Sequence, residues 1–325
     1  MLVLNLVEAV TNALDVAMDK DTNVVVFGED VGFEGGVFRA TKGLQAKYGA
    51  ERCFDSILAE SSIIGSGIGM AINGLKPVVE IQFSGFMFPG FNQIVTHAAR
   101  MRNRTRGLYT VPMVIRMPYG GGVRALEHHS ESLEVLFAHT AGLKVVVPST
   151  PYDAKGLLLA AIADPDPVIF MEPKRIYRAF KQEVPEEYYT IPIGKAKVVK
   201  EGSNLTVVAW GAMVRETQKA IDILEKEGHS IELIDLRTIS PIDKETIISS
   251  VQKTGRFAVV HEAATTYGPG AELITTVNEG AFLYLEAPPK RISSNDTIVP
   301  LPKGEHHYVP EVDYIVSELR SVLEF

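Results

Sequence analysis

The 325-residue chain has one cysteine, Cys53, and one tryptophan, Trp210. A lone thiol excludes an internal disulfide and fits a reducing cytoplasm. Positive charge is also scarce, with 32 Lys and Arg against 40 Asp and Glu, a net charge of −8. No basic stripe is available to neutralise phosphates, which argues against nucleic acid as a partner. The local run Arg100, Arg102, Arg104, Arg106 reads as a helix end with paired side chains. No apolar run reaches the ~20 residues that span a bilayer. No leader stands out at Met1–Asn5, which run straight into an amphipathic helix. The chain therefore reads as soluble and cytoplasmic, with no membrane contact.

Several familiar signatures fail as well. Gly65-Ser66-Gly67-Ile68-Gly69 lacks a clean preceding strand and the G-x-G-x-x-G spacing of a dinucleotide loop. Gly65, Gly69 and Ala71 read instead as small residues that let a helix pack closely. His261-Glu262 has no second histidine four residues on from the first, so the zinc-protease pattern is missing. Neighbouring His128 and His129 would point about 100° apart on a helix and could not share one metal. His306-His307 reads as a solvated loop pair, and Trp210 as part of a core. No internal repeat or low-complexity segment is evident.

What is present is an ordinary globular composition, 46% hydrophobic and 22% charged, at a length that suggests two domains. Helical and strand patterns alternate throughout, which predicts an α/β fold with parallel sheets. Leu6, Val10, Ala13, Leu14 and Ala17 line one face of a first helix. Val24-Val25-Val26-Phe27 is apolar at every position, as a strand covered on both faces requires. Further strands are predicted at 78–82, 113–116, 143–147 and 168–171, with helices at 91–102, 133–139 and 153–163. Thr150-Pro151 is a good start for the last of these. A first α/β domain over 1–185, a charged connection over 186–202 and a second α/β domain over 203–325 follow from this pattern.

Three features invite chemistry. Glu60 stands among aliphatic residues just before a glycine-spaced helical run, and a carboxylate there is costly to bury. One reaction needing such a group is activation of thiamine diphosphate, in which a carboxyl bonded to the aminopyrimidine ring drives it to the imino tautomer. Taken alone, the residue reads more simply as a helix N-cap or a buried hydrogen-bonded Glu. Gly120-Gly121-Gly122 follows a strand and allows close approach of a ligand. One of His128 and His129 beyond it reads as a proton donor near a substrate. Phe83, Phe86 and Phe88 cluster after a strand end and could stack on a flat heterocycle or simply pack.

Taken jointly, longer motifs carry a resemblance. Phe27-Gly28-Glu29-Asp30-Val31-Gly32, Leu58-Ala59-Glu60, Glu80-Ile81-Gln82-Phe83, His129-Ser130, Pro148 to Leu157, Tyr177-Arg178, Pro192 to Ala196 and Gly211 to Val214 are among them. From about Leu6 onward the chain resembles the beta subunit of the decarboxylating component of a 2-oxo acid dehydrogenase complex. The resemblance implies a thiamine-enzyme pyrimidine-binding domain followed by a smaller transketolase C-terminal-like α/β domain. It implies that Glu60 bonds the aminopyrimidine, that Phe86 stacks on it, and that Leu58 and Gln82 sit beside it. It places His129 near the reacting carbon where a lipoyl arm enters; His128 departs from many relatives. It also implies a structural potassium ion held by Ala161, Ile162, Asp164 and Asp166 with the carbonyl of Met113.

The chain contains no Gly-Asp-Gly, the motif that anchors the cofactor's diphosphate through magnesium. It is therefore expected to be catalytically incomplete, with an alpha subunit holding Mg2+ and the diphosphate in a heterotetramer of two alpha and two beta chains. The implied function is oxidative decarboxylation of a 2-oxo acid, with acyl transfer to the lipoyl arm of an acyltransferase core. The core would dock through its peripheral-subunit-binding domain, with Glu286 and the terminal carboxylate of Phe325 as candidate contacts. Phe86 to Val95 and Phe170 to Lys174 lean toward branched-chain 2-oxo acids; pyruvate and acetoin enzymes are the alternatives.

Overall fold

The computed structural model describes residues Met1–Phe325. The uniformly apolar Val24-Val25-Val26-Phe27 forms the strand Val24–Gly28, buried at every position. It belongs to a seven-stranded sheet ordered Thr238–Ser240, Lys144–Val146, Val168–Pro173, Val114–Tyr119, Lys76–Glu80, Val24–Gly28, Cys53–Asp55. All neighbours are parallel except the first pair. A second sheet of five strands is ordered Lys290–Ser294, Phe257–Ala264, Leu205–Ala209, Ile231–Asp235, Lys197–Lys200, and only its last pair is antiparallel.

Helices cover both faces of each sheet, as parallel strands require. Helix Leu6–Lys20 starts with a reciprocal capping box between Asn5 and Glu8, and Leu6, Val10, Ala13, Leu14 and Ala17 are all buried. Its main packing partner is helix Pro151–Ala163, where Thr150 accepts the Asp153 N–H and proline opens the first turn. That start is the one expected from Thr150-Pro151.

Three local readings change. The helix expected over 91–102 is broken into Phe88–Gln93, a wider turn Ile94–Ala98 and Met101–Arg104. Ala99 N–H reaches back to Ile94 O at 2.9 Å, and Gly142 packs directly on the Ala99 carbonyl, where any side chain would collide. A β-branched pair, Val95-Thr96, sits inside the wide turn, where a regular helix would crowd it. Gly67, not Gly65 or Gly69, is the close-packing glycine of helix Glu60–Ile72: a Cβ there would lie 2.7 Å from Met113 Cε, whereas nothing lies within 4 Å of one at Gly69. The stretch 186–202 contains the strand Lys197–Lys200, and the second half lends Thr238–Ser240 to the first sheet. Both large apolar clusters draw residues from both halves, so the two sheets share their packing.

Candidate functional site

The chemistry-bearing residues of the first half all follow the carboxyl ends of parallel strands, where α/β folds place ligands. Strand Cys53–Asp55 leads to Leu58 and Glu60, strand Lys76–Glu80 to Gln82 and Phe86, and strand Val114–Tyr119 to the glycine loop and His129. Strand Val24–Gly28 leads to Glu29 and Asp30.

Glu60 is the first residue of helix Glu60–Ile72, and Ala59 before it supplies no side-chain cap. The helix N-terminus favours a carboxylate. Within this chain Glu60 is half-buried rather than enclosed among aliphatic residues, because the side chains around it leave the strand end outward: Ile57 is 74% exposed and Leu58 70%. Gly90 rests on the Glu60 backbone, with a hypothetical Cβ 3.0 Å from its carbonyl, and so ties the start of this helix to the segment after Phe86. Burial, then the charges of Asp30 and Glu60, push the Glu29 carboxyl above the usual range. Gln82 Nε2 donates to Asp30 Oδ2 at 3.4 Å. Glu29, Asp30 and Glu60 thus share one electrostatic neighbourhood with Gln82 at its edge.

The aromatic residues form a second group. Phe86 and Phe83 meet the His129 ring edge to face, at centroid distances of 5.0 and 4.5 Å. His129 Nδ1 is buried without a hydrogen-bond partner. His128 faces outward, 3.8 Å from Glu131. Gly85 makes the approach possible, since a side chain there would strike the His128 carbonyl and, at 2.5 Å, Glu131 Oε2. Sequence spacing alone could not choose between the two histidines; the fold aims only His129 at the aromatics.

The triple glycine has a different use from the one expected. Gly121 N–H donates to Glu262 Oε2 at 3.0 Å, Gly122 N–H to Glu305 Oε1 at 2.9 Å, and Lys174 Nζ donates to the Gly120 carbonyl. Protein side chains, not an open ligand face, make the close approach: a Cβ on Gly120 would lie 2.5 Å from Glu262 Oε2, and one on Gly121 2.9 Å from Val309. That Glu262, Glu305 and Lys174 hold this loop could not be read from the sequence, where Lys174 figured only in the segment Phe170 to Lys174. His261-Glu262 and the run containing His306-His307 drew notice only as metal or solvent motifs.

Beneath the loop, Trp210 is buried as expected and donates from Nε1 to Glu134 Oε1 at 3.2 Å, across the halves. Its ring stacks on His261 at 5.1 Å and 9°. His261 is fully buried with neither ring nitrogen bonded, and burial, then the Arg291 charge, hold its pKa down at about 3.

At the loop expected to hold potassium, the side chains already have cationic partners. Lys144 Nζ lies 2.7 and 2.6 Å from the two Asp164 oxygens, and Arg102 Nε lies 2.6 Å from Asp166 Oδ1. The Met113 carbonyl accepts the Val168 N–H at 2.9 Å, and the Ala161 carbonyl accepts the Asp164 N–H at 3.3 Å. These side chains do not fit a further cation. No group of three or more His, Cys, Asp or Glu is arranged for a metal.

Comparison with known proteins decides the family. The transketolase pyrimidine-binding domain family matches residues 3–179 and the transketolase C-terminal domain family residues 194–315. The chain is 66% identical over 322 residues to the pyruvate dehydrogenase E1 component subunit beta of Acholeplasma laidlawii, covering 99% of this chain and 98% of that one. The chain belongs to the beta subunits of the decarboxylating component of 2-oxo acid dehydrogenases. The like-named subunit of Mycoplasma genitalium is 58% identical, with 98% of each chain covered, and that of Bacillus subtilis 51%, with 99% of each. A split-gene transketolase, described as an inactive beta4 tetramer, shares the fold at TM-score 0.81 and 22% identity, covering 99% of this chain and 98% of that one. As an E1 beta family member the chain is a 2-oxo acid dehydrogenase subunit. The relatives named here are pyruvate enzymes, so the lean toward branched-chain substrates from Phe86–Val95 and Phe170–Lys174 finds no support. Parts of both segments serve the framework instead: Ile94 and Phe170 are buried core, and Pro173 ends a strand.

Proposed function

We propose that this chain is the beta subunit of a thiamine diphosphate-dependent pyruvate dehydrogenase, active only with an alpha subunit. The observation that carries the reading is Glu60: a half-buried carboxylate at a helix start, beside exposed Ile57 and Leu58, in a chain so similar to pyruvate dehydrogenase beta subunits. Bound, the cofactor supplies a carbon nucleophile for the 2-oxo acid carbonyl and accepts the electrons released with carbon dioxide. Glu60 would hold the proton shared with the aminopyrimidine nitrogen, from a helix start that lies near the charges of Glu29 and Asp30. Leu58 would exclude water from the same ring, Phe86 would face it, and Gln82 would lie at its border. His129, set by Phe83 and Phe86, would donate a proton during acyl transfer to the lipoyl arm.

The missing diphosphate anchor and the exposed Phe33, Ile57 and Leu58 support a partner chain that covers this edge and brings Mg2+. Glu286, paired with Arg256 at 2.7 Å yet 61% exposed, and the exposed C-terminal Phe325 remain the proposed contacts for the acyltransferase core. If potassium binds, backbone carbonyls at 113 and 161–166 must hold it.

The test is kcat/KM of the reconstituted alpha–beta pair on pyruvate and 2-oxoisovalerate. A clear preference for pyruvate is expected; preference for the branched acid would reverse the substrate assignment. Glu60→Gln in the same assembly should lower decarboxylation by about 10²-fold or more, the usual range for a proton-handling group, and unchanged turnover would end the cofactor reading.

A further inference from the structure

The segment 120–131 is a closed loop: Gly120 N–H donates to the Glu131 carbonyl at 3.1 Å, and that carbonyl also accepts the Ser84 hydroxyl at 2.8 Å. His129 lies near its far end, and its tip carries the exposed Val123 and Leu126. The base of the loop is held from the other half of the molecule by Glu262 and Glu305, and from its own half by Lys174. One carboxylate, Glu305, spans it, accepting Gly122 N–H at 2.9 Å and Arg124 N–H at 2.6 Å on one limb and the Ser130 hydroxyl at 3.4 Å on the other. Glu262 takes Gly121 N–H, and Lys174 takes the Gly120 carbonyl. All three ionic side chains and Ser130 are at most 4% exposed, so losing one partner leaves a buried polar group unsatisfied. Val309 and Arg175 fill the remaining space against Gly121 and Gly122.

We infer that Glu305, seconded by Glu262, is a positioning residue of the second domain that sets where His129 stands for acyl transfer. Ser130 is the next residue after His129, so the Glu305–Ser130 bond fixes the backbone that carries the imidazole. Glu60 lies on another strand-end segment and has no bond to this clamp. Loosening the clamp therefore acts on transfer to the lipoyl arm and spares decarboxylation. The inference rests on the proposed role of His129 in that transfer.

The two partial reactions separate in the assembled alpha–beta enzyme. Decarboxylation is followed with a dye as electron acceptor, which needs no lipoyl group; acyl transfer is followed on a free lipoyl domain. Glu305→Ala should cut transfer at least tenfold while dye-linked decarboxylation stays within twofold, and Glu305→Gln, which keeps one acceptor oxygen, should lie between. Ser130→Ala removes only the far bond and should shift the same ratio less; it decides the matter if Glu305→Ala does not assemble. His129→Ala is the control. If it leaves the ratio of the two reactions unchanged, the role of His129 is wrong. If it shifts the ratio while the Glu305 and Ser130 variants do not, the clamp alone is overturned.

Discussion

At the residue scale the molecule separates groups meant for chemistry from groups meant for holding. Glu60 keeps a half-open carboxylate at a helix start, whereas Glu262 and Glu305 are buried and accept loop amides, one for Glu262 and two for Glu305. His261 is the sharpest titration. Its folded pKa of about 3 lies below the ordinary value of 6.5, so the folded state keeps it neutral while the unfolded chain takes up a proton. Its contribution is complete above pH 6.5 and is lost as pH falls from there toward 3. Between pH 6.5 and 5 the loss is about 2 kcal/mol. Burial pushes Glu134 and Asp235 up to about 7, which acts in the opposite sense, favouring the fold as pH drops below 7. The readout is thus a difference: His261→Gln should flatten the acid limb relative to the parent when denaturant midpoints are measured from pH 7 to 5. Parallel curves would show that the buried imidazole does not titrate as described.

At the scale of single elements, helix Glu60–Ile72 offers a paired comparison. Gly69 is exposed with open space around it, and Gly67 is pressed against Met113 and Val79. In the chain purified alone, Gly69→Ala should raise Tm, reflecting about 0.5–1 kcal/mol of backbone entropy removed from the unfolded state. Gly67→Ala should lower it through overpacking of roughly 1–3 kcal/mol. Equal shifts would mean the helix does not sit on the sheet as found. The same helix shows how far sequence reading reaches. Its existence, its small residues and the continuous strands at Val24–Gly28 and Val168–Pro173 were legible, because local propensity and burial point the same way there, although the helix starts at Glu60 and not after it. Which glycine touches the sheet was not, since that depends on Met113, far away in the chain. The split of the 91–102 helix was hidden for a similar reason, since Gly142 lies over the Ala99 carbonyl.

For the whole molecule, the two halves behave as one packed body with the candidate site along one edge. Trp210–Glu134, the Arg237–Asp153 pair at 2.5 Å and the glycine-loop clamp all cross between them. Purified alone, the chain should neither decarboxylate nor bind the cofactor tightly, and adding the alpha subunit should restore both; robust turnover by the lone chain in a decarboxylation assay would contradict the shared-site arrangement. Docking of the acyltransferase core should weaken with added salt and with Glu286→Ala, as measured by binding titration, because an exposed anionic contact is screened within about 10 Å at 0.1 M.

Strand periodicity by itself determined the α/β class, and the run of motifs around Glu60, Gln82 and His129 the family. These are local signals, carried by neighbouring side chains and the hydrophobic period. The packing of His129 against Phe83 and Phe86, the use of Gly120-Gly121-Gly122, and the service of Glu262 and Glu305 were decided only in three dimensions. Each joins groups more than a hundred residues apart or separates two that are adjacent. A buried carboxylate finds its donors by where the sheets bring them, not by their order along the chain.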